Sequence, residues 1–387
     1  MTKATAPVVR VATHDAETIE TIHAALDARR PIALLHAKLA PDEQARQRAL
    51  VEAATFIDDD AVVLFTSGST GTSRGVVLSR SAIDAAADAS WAHLGVRDGD
   101  QWLCTLPMAH AGGLSIVVRC RARGVTCVLV DDEARSRARD TSTWTVPDGI
   151  TLASLVPAQL AKLLANEGWR PPSSLRAVLL GGAAAPRTLV DAAIARGVPV
   201  LQTYGLTETF GQIATAREPG GPLHLLPGVT VDGGTRAEPA RLTIRGPMLA
   251  SRYLDGSPIA PALATSDLGF VDRETLRIIG RADDVIITGG ENVHPAQVEA
   301  VLAATPGVCA AVAFGVPDDR WGQLVAAAIT VDASFDQAAA LTRWHASLPP
   351  FARPRRLAVA SQLPRLPSGK LDRRQVVALA TSPIEYP

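Results

Sequence analysis

The residues with the clearest chemical potential form a run of small polar residues that follows an apolar segment. The run Thr66-Ser67-Gly68-Ser69-Thr70-Gly71-Thr72-Ser73-Arg74-Gly75 contains three glycines, six hydroxyl residues and one arginine. Glycine lets the backbone approach a ligand closely, successive backbone N–H groups can converge on phosphate oxygens, and Arg74 adds a fixed positive charge. A Ser/Gly linker is the alternative, but a linker is not expected between two apolar strands. The run therefore predicts a phosphate-binding loop, without the spacing of a Walker A motif.

Six further motifs of glycine, hydroxyl and charged residues follow this loop along the chain. They are Gly181-Gly182-Ala183-Ala184-Ala185-Pro186, Thr203-Tyr204-Gly205-Leu206-Thr207-Glu208, Thr265-Ser266-Asp267-Leu268-Gly269, Gly280-Arg281-Ala282-Asp283-Asp284, Gly289-Gly290-Glu291-Asn292 and Pro367-Ser368-Gly369-Lys370.

The loop and the six motifs, in this order, resemble those of the adenylate-forming superfamily, which includes acyl-CoA synthetases, peptide-synthetase adenylation domains and luciferases. The resemblance extends from residue 66 to residue 370. It implies an ATP-dependent ligase that activates a carboxylic acid as its acyl-AMP and then transfers the acyl group to coenzyme A. ATP, Mg²⁺ and coenzyme A are the implied cofactors and co-substrates. Arg74 departs from the family pattern, which usually has a lysine there.

The resemblance also implies catalytic roles for two charged residues. Attack of a carboxylate on the α-phosphate of ATP brings two anions together, so it needs charge neutralisation and alignment. Lys370 resembles the C-terminal lysine that bridges the two groups, although the motif alone would also fit a surface lysine in a turn. Glu208 resembles the carboxylate that binds Mg²⁺ beside the phosphates, with an exposed loop glutamate as the alternative.

Nucleotide contacts are implied for a larger set of residues. Tyr204 would stack on adenine, with a core tyrosine as the alternative. Asp267 would hold the ribose hydroxyls and Arg281 would be its basic companion, although either residue also fits a surface charge. The other nucleotide-binding candidates are Thr66, Ser67, Gly68, Ser69, Thr70, Gly71, Arg74, Gly182, Ala183, Ala184, Gly205 and Thr207.

The same resemblance implies two domains that rotate relative to each other. Asp283 falls where the family places its hinge, although an aspartate is also common in ordinary turns. We expect an adenylate-forming domain at residues 1–280, the hinge at 281–284 and a mobile domain at 285–387. Rotation would withdraw Lys370 after the first step. It would also bring three residues to the coenzyme A side of the site, namely Gly289, Gly290 and Glu291.

The acid substrate is predicted from residues 106–119. This segment resembles the corresponding stretch of the o-succinylbenzoyl-CoA synthetases of menaquinone biosynthesis. His110 would be a gate at the acyl site, or a residue with only a packing role, and Gly112 and Ser115 would line the site. Arg119 follows an apolar run in a predicted helix, so it either extends to solvent or binds an anionic group. The second carboxylate of o-succinylbenzoate would need such a cation.

Other functions stay open at this point. Another small aryl- or acyl-CoA synthetase would fit the same motifs, and so would a stand-alone enzyme that loads a carrier protein. A non-catalytic nucleotide-binding descendant is disfavoured because both Glu208 and Lys370 are present.

The motifs need a framework that holds them, and the sequence predicts an α/β fold. Short apolar strands alternate with helices from Ala61 onwards, which is typical of a layered α/β domain. A small β-rich subregion follows Pro222, and a compact α+β unit follows Asp284. The first strand is expected near Val62, with helices alone before it, so the N-terminal part would be shorter than in relatives. The predicted helices there are Glu17–Ala28 and Asp42–Ala54.

The overall composition excludes several classes of function. The chain has 387 residues and a net charge of −1, so it offers no basic surface field for nucleic acid or an anionic membrane. Its four cysteines form no C-x-x-C pair, which disfavours a zinc site or a disulfide framework. Neither a signal peptide nor a membrane span is visible. We therefore expect a cytoplasmic enzyme with small-molecule partners, and we leave a homodimer open.

Overall fold

The computed structural model describes residues 6–66, 73–130, 145–365, 371–379 and 381–386. These residues form three β-sheets with helices packed against them. None of the helices in these ranges is long and apolar enough to cross a membrane.

The N-terminal sheet begins earlier than the sequence analysis predicts. Its strands, which pair in the order given, are β1 (Val8–Ala12), β2 (Ile32–His36), β3 (Asp60–Phe65), β4 (Gly75–Ser79) and the later β14 (Arg252–Tyr253). Strands β1 to β3 are parallel. The expectation of helices alone before Val62 is therefore wrong. All five residues of β2 are buried, so this strand lacks the alternation of polar and apolar residues by which a short strand is recognised.

The two helices predicted for this region are confirmed within one or two residues. They are α1 (Ala16–Asp27) and α2 (Pro41–Ala53). Asp15 caps α1, because its side chain accepts a hydrogen bond from the backbone N–H of Thr18 at 2.8 Å.

The second sheet is the framework of the site, and its parallel half lies at one edge. The parallel strands are β5 (Gln101–Cys104), β6 (Thr126–Leu129), β7 (Leu152–Leu155), β8 (Ala177–Leu180) and β9 (Val200–Leu206), in the spatial order β6-β5-β7-β8-β9. The helices that connect this region are α3 (Arg80–Leu94), α4 (Ala111–Arg123), α5 (Pro157–Ala165) and α6 (Arg187–Ala195). Carboxyl ends of parallel strands meet at one edge of a sheet, where ligands bind in open α/β folds. The segments that follow β5, β8 and β9 contain predicted site residues.

The antiparallel half continues the same sheet beyond β9. Its strands are β10 (Gly211–Ala216), β11 (Leu223–Leu225), β12 (Thr230–Asp232), β13 (Ala240–Arg245), β15 (Leu263–Asp272) and β16 (Thr275–Arg281). This region is the β-rich subregion predicted after Pro222. The register of β15 and β16 places Asp267 directly opposite Arg281.

The C-terminal part forms the third sheet with its own apolar core. Its strands are β17 (Ile286–Thr288), β18 (Glu291–Val293), β19 (Val308–Asp318), β20 (Gly322–Val331), β21 (Arg356–Val359) and β22 (Ser382–Pro383), and its helices are α7 (Pro295–Ala303), α8 (Gln337–Ser347) and α9 (Arg373–Val377). Trp344 on α8 is fully buried in this core, and its indole N–H donates to the hydroxyl of Thr305 at 2.8 Å. The α/β fold with a large N-terminal and a smaller C-terminal part is confirmed.

Candidate active site

The predicted ribose pair lies against the predicted adenine residue. The hydroxyl of Tyr204, on β9, donates to Oδ2 of Asp267 at 2.5 Å. Nη1 of Arg281 lies 3.3 Å from Oδ1 of the same carboxylate. Burial and the negative charge of Asp267 raise the pKa of the Tyr204 hydroxyl. Tyr204 therefore stays a neutral donor at physiological pH, and the structure brings together three residues that are far apart in the sequence.

Asp283 is adjacent to this group, in the single 3₁₀ turn Ala282–Asp284 that follows β16. Its carboxylate lies 3.3 Å from Nη2 of Arg241 and 3.7 Å from Nη2 of Arg281. A hydrogen bond from Ser266, together with the two arginines, lowers the pKa of Asp283. The predicted hinge residue is thus an ionised side chain that bridges β13 and the end of β16.

Glu208 lies in the 3₁₀ turn Thr207–Thr209, immediately after β9. Gly205, in β9 just before this turn, allows β9 and β10 to approach closely, because a Cβ atom there would lie 1.6 Å from the carbonyl oxygen of Gly211. Thr209 closes the turn, with its hydroxyl 2.8 Å from the same oxygen. Oε1 of Glu208 accepts a hydrogen bond from the hydroxyl of Tyr253 at 3.2 Å.

Arg74, at the end of the predicted phosphate loop, lies on the other side of Tyr253. The centre of its guanidinium is 3.5 Å from the centroid of the tyrosine ring. Its Nη2 donates to Asp255 at 2.9 Å and to Ser257 at 2.7 Å. The backbone N–H of Thr66 donates to the carbonyl oxygen of Arg74 at 2.9 Å, which closes the base of the loop. Ser67, Gly68, Ser69, Thr70, Gly71 and Lys370 lie outside the described residues.

A second side-chain network holds Ser73, near the end of the predicted phosphate loop. The sequence analysis did not predict this network. The hydroxyl of Ser73 donates to Oε1 of Glu43 at 2.7 Å and accepts from Arg46 at 2.8 Å. Glu43 and Arg46 lie one turn apart on α2 and form a bidentate pair. The hydrogen bond from Arg46 is the main reason that the pKa of Glu43 falls to about 2.

Three of the predicted nucleotide-binding residues follow β8. Gly182 has a φ of 79°, in the left-handed region that favours glycine. Gly182, Ala183 and Ala184 are exposed, so their backbone is available to a ligand at the sheet edge.

The predicted acyl site is built on α4. Arg119 is 2% exposed, so the alternative that it extends to solvent is wrong. Its guanidinium carbon lies 5.6 Å from the centroid of the Trp102 ring, and burial lowers its pKa to about 10. It remains cationic at neutral pH. Within the described part of the chain, its Nε and Nη2 atoms have no hydrogen-bond partner.

A glycine of β10 faces this cation. A Cβ atom placed on Gly211 would lie 3.7 Å from Nη2 of Arg119 and 3.6 Å from the hydroxyl of Ser115. Ser115 is buried on the same helix, where its hydroxyl lies 3.4 Å from the carbonyl oxygen of Gly112. Arg119 and Ser115 thus approach the same glycine of β10, and this glycine pairs with Leu206 of the predicted nucleotide-binding motif.

His110 is the residue that precedes α4. Its ring centroid lies 5.0 Å from that of His36 on β2. His36 was not predicted from the sequence, because β2 itself was not predicted. Gly112, in the first turn of α4, is exposed.

The three residues predicted for the coenzyme A side lie together in the C-terminal part. Gly289 and Gly290 form the turn between β17 and β18, with φ values of 58° and 86°. These values fit a two-residue hairpin turn that requires glycine-like conformations. The N–H of Gly289 donates to the carbonyl oxygen of Trp321 at 2.9 Å, and Glu291 is exposed.

The AMP-binding enzyme family matches residues 2–254, which is more than half of the chain, and the AMP-binding enzyme C-terminal domain matches residues 297–370. The chain belongs to the AMP-binding enzyme family. The resemblance to adenylate-forming ligases is thereby confirmed.

Individual members of the AMP-binding enzyme family are similar over most of their length. A 2-succinylbenzoate–CoA ligase of Bacillus cereus (strain Q1) is 34% identical over 357 residues, which cover 86% of this chain and 72% of the relative. The o-succinylbenzoate CoA synthetase of Bacillus subtilis, in complex with its acyl-adenylate intermediate, superposes with a TM-score of 0.81 at 27% identity, covering 98% of this chain and 89% of that one. The same enzyme in complex with ATP and magnesium gives a TM-score of 0.80 at 27% identity, covering 95% and 88%.

Proposed function

We propose that this chain is an AMP-forming acid–CoA ligase whose substrate is 2-succinylbenzoate, and that it serves menaquinone biosynthesis. The observation that carries the substrate assignment is the buried guanidinium of Arg119 on the predicted acyl helix. A buried charge without a partner is costly, and an anionic group on the substrate would supply the partner. The similarity to the 2-succinylbenzoate–CoA ligase of Bacillus cereus supports the same substrate.

The proposed reaction has two half-reactions. In the first, an oxygen of the succinyl carboxylate bonds to the α-phosphorus of ATP and pyrophosphate leaves. In the second, the sulfur of coenzyme A bonds to the acyl carbon, AMP leaves and the thiol proton is released. Both steps need negative charges to be brought together and neutralised.

The nucleotide would be held by residues from several of the motifs. Tyr204 would pack against the adenine, and the carboxylate of Asp267 would accept hydrogen bonds from the ribose hydroxyls, held in place by Arg281. Gly182, Ala183 and Ala184 would border the base, and Gly205 and Thr207 would lie near the phosphates. Arg74 would contribute positive charge at the phosphate loop, and Lys370 would bridge the carboxylate and the α-phosphate.

Glu208 would hold Mg²⁺. Mg²⁺ commonly binds through one or two carboxylates and completes its coordination with phosphate oxygens and water. The bound ion would neutralise part of the phosphate charge.

The second carboxylate of the substrate would lie in front of Arg119. Ser115 offers a hydroxyl in the same space, and a water molecule could complete the contact. His110 and Gly112, where α4 begins, would lie at the acyl side of the reacting carboxylate. The cation would thus distinguish a dicarboxylic acid from a monocarboxylic analogue.

The proposed division of the chain is an adenylate-forming domain at 1–280, a hinge at 281–284 and a mobile domain at 285–387. Rotation about Asp283 would withdraw Lys370 and present Gly289, Gly290 and Glu291 to coenzyme A. A cytoplasmic location and a homodimer stay predictions.

A panel of acids tests the proposal. The chain is incubated with ATP, Mg²⁺ and coenzyme A together with 2-succinylbenzoate, benzoylpropionate, benzoate or a fatty acid, and pyrophosphate and thioester are measured separately. We expect the highest kcat/KM for 2-succinylbenzoate. Equal activity with benzoylpropionate, which lacks the second carboxylate, would contradict the substrate assignment and leave the ligase assignment intact. Absence of pyrophosphate release with every acid would contradict both.

A further inference from the structure

Tyr253 lies at the junction between the phosphate loop and the rest of the site. It is the second residue of β14, which pairs with β4 so that Tyr253 is opposite Val76. The next residue, Leu254, donates its N–H to the carbonyl oxygen of Gly75, the last residue of the phosphate loop. Tyr253 is therefore fixed by backbone hydrogen bonds to the strand that leaves the loop.

The side chain of Tyr253 contacts two of the charged residues predicted at the phosphates. Its hydroxyl donates to Glu208 at 3.2 Å, and its ring face lies 3.5 Å from the guanidinium carbon of Arg74. Cations are attracted to the face of an aromatic ring. The side chain of Tyr253 thus lies between the carboxylate of Glu208 and the guanidinium of Arg74. Its hydroxyl contacts the first and its ring face contacts the second.

The segment after Tyr253 completes the support for Arg74. Asp255 and Ser257 both accept hydrogen bonds from its Nη2, and the hydroxyl of Ser257 donates in turn to Asp255. Without this support a long arginine side chain would sample many rotamers. Arg74 is therefore held by the ring of Tyr253 and by the two polar side chains that follow β14.

We propose that Tyr253 is a positioning residue for the Mg²⁺ and phosphate site, with its hydroxyl orienting Glu208 and its ring orienting Arg74. This inference rests on the proposed function, because it assigns Glu208 and Arg74 to Mg²⁺ and phosphate. It predicts two separable effects. Loss of the hydroxyl should weaken Mg²⁺ binding, and loss of the ring should weaken binding of the nucleotide itself.

The hydroxyl of Tyr253 donates a hydrogen bond to the carboxylate of Glu208. Tyr253→Phe removes that donor while it keeps the ring.

The test compares Tyr253→Phe with Tyr253→Leu, and uses Tyr386→Phe as the matched control. Tyr386 is also partly buried, but it lies in the C-terminal part and its hydroxyl has no hydrogen-bond partner among the described residues. ATP binding is measured by calorimetry with Mg²⁺ and, separately, with a chelator, and Mg²⁺ is titrated at fixed ATP. Pyrophosphate release is then measured as a function of Mg²⁺.

For Tyr253→Phe we expect the Mg²⁺ concentration at half-saturation to rise about tenfold, the effect of losing one hydrogen bond to a charged group. ATP binding in the chelator should stay unchanged. Tyr253→Leu should weaken binding in the chelator as well, by about two- to fivefold, because the cation–π contact is also lost. Tyr386→Phe should behave as wild type in every measurement.

The two proposals fail in different ways. A Mg²⁺ requirement of Tyr253→Phe equal to that of Tyr386→Phe would overturn the positioning role alone. A wild-type chain that does not bind ATP would overturn the proposed function and the positioning role with it. An equal loss of binding with Mg²⁺ and with chelator in Tyr253→Phe would also overturn the assignment of the hydroxyl to the metal.

Discussion

At the scale of single residues, Arg119 is expected to lower the stability of the fold while it serves substrate binding. Its guanidinium is buried beside the Trp102 ring, and burial lowers its pKa. An apolar residue of similar volume would avoid the cost of desolvating the charge. A buried cation of this kind is expected to bind an anion, because the bound anion then offsets the desolvation cost that the free protein carries.

Arg119→Leu should therefore separate substrate affinity from stability. We expect KM for 2-succinylbenzoate to rise by a factor that corresponds to about 2–4 kcal/mol, because the second carboxylate would lose its partner. KM for ATP and the activity with benzoylpropionate should change little. The melting temperature should stay the same or rise, since an unpaired buried charge is removed.

Arg176→Leu is the control for this prediction. Arg176 is also largely buried, but it is paired with Asp100 at 2.7 Å. Its removal would leave the buried carboxylate of Asp100 without its cationic partner, with only the hydrogen bonds from Thr151 and the backbone of Arg97, so the melting temperature should fall. If Arg119→Leu destabilises the chain as Arg176→Leu does and leaves KM unchanged, Arg119 has a structural role instead.

The sequence indicated the segment that contains Arg119 but not the environment of its side chain. The apolar run Leu114–Val118 fits a helix whose arginine extends to solvent as well as one whose arginine is buried. Whether the arginine is exposed or buried depends on how α4 packs against β5 and β6. The spacing of residues within the helix does not determine that packing. Tyr253 was missed for a similar reason, since its partner Glu208 is 45 residues away along the chain.

At the scale of elements, the phosphate loop depends on a helix that the sequence predicted without assigning it a role. Helix α2 places Glu43 and Arg46 against Ser73.

The strands β1 and β2 were missed, because they are short and lie in an alanine-rich region. Three cysteines that look scattered in the sequence, Cys104, Cys120 and Cys127, also pack in one cluster. Long, strongly periodic segments were predicted well, and contacts that depend on sheet order were not.

Glu43→Gln tests the connection between α2 and the loop through its pH dependence. The pKa of Glu43 is about 2 in the folded chain and 4.5 ordinarily. Its contribution to stability is therefore fully present above about pH 4.5 and is lost as pH falls through 2. We expect wild type to melt above Glu43→Gln at pH 7, with a difference that shrinks as the pH falls below about 4.5. A difference in melting temperature that does not depend on pH would show that the carboxylate charge is not what holds Ser73.

At the scale of the whole molecule, the proposed hinge connects the two parts through a few charged contacts. Asp283 pairs with Arg241 of the large part and with Arg281, the first residue of the proposed hinge. The next residue, Asp284, lies 3.3 Å from Nε of Arg373, which also binds Glu299 on α7 at 2.9 Å. Arg373 follows Lys370 by three residues. The turn Ala282–Asp284 thus contacts the large part through one aspartate and the segment after Lys370 through the other.

Asp283→Pro should separate the two half-reactions if the parts rotate about this turn. Proline fixes φ near −65°, so it restricts a change of backbone conformation at the hinge. We expect pyrophosphate release to be retained, while transfer to coenzyme A falls about 100-fold because the thiol can no longer be aligned with the acyl-adenylate. Both quantities are measured in single-turnover experiments, with acyl-adenylate formed first and coenzyme A added second. Asp283→Asn is the control, because it removes the charge that pairs with Arg241 and Arg281 but leaves the backbone free. It should slow neither step by more than a few-fold, as expected for exposed ion pairs. If Asp283→Pro transfers the acyl group at the wild-type rate, the hinge lies elsewhere. If Asp283→Asn loses as much transfer activity as Asp283→Pro, the ion pairs of Asp283, and not its backbone, limit transfer.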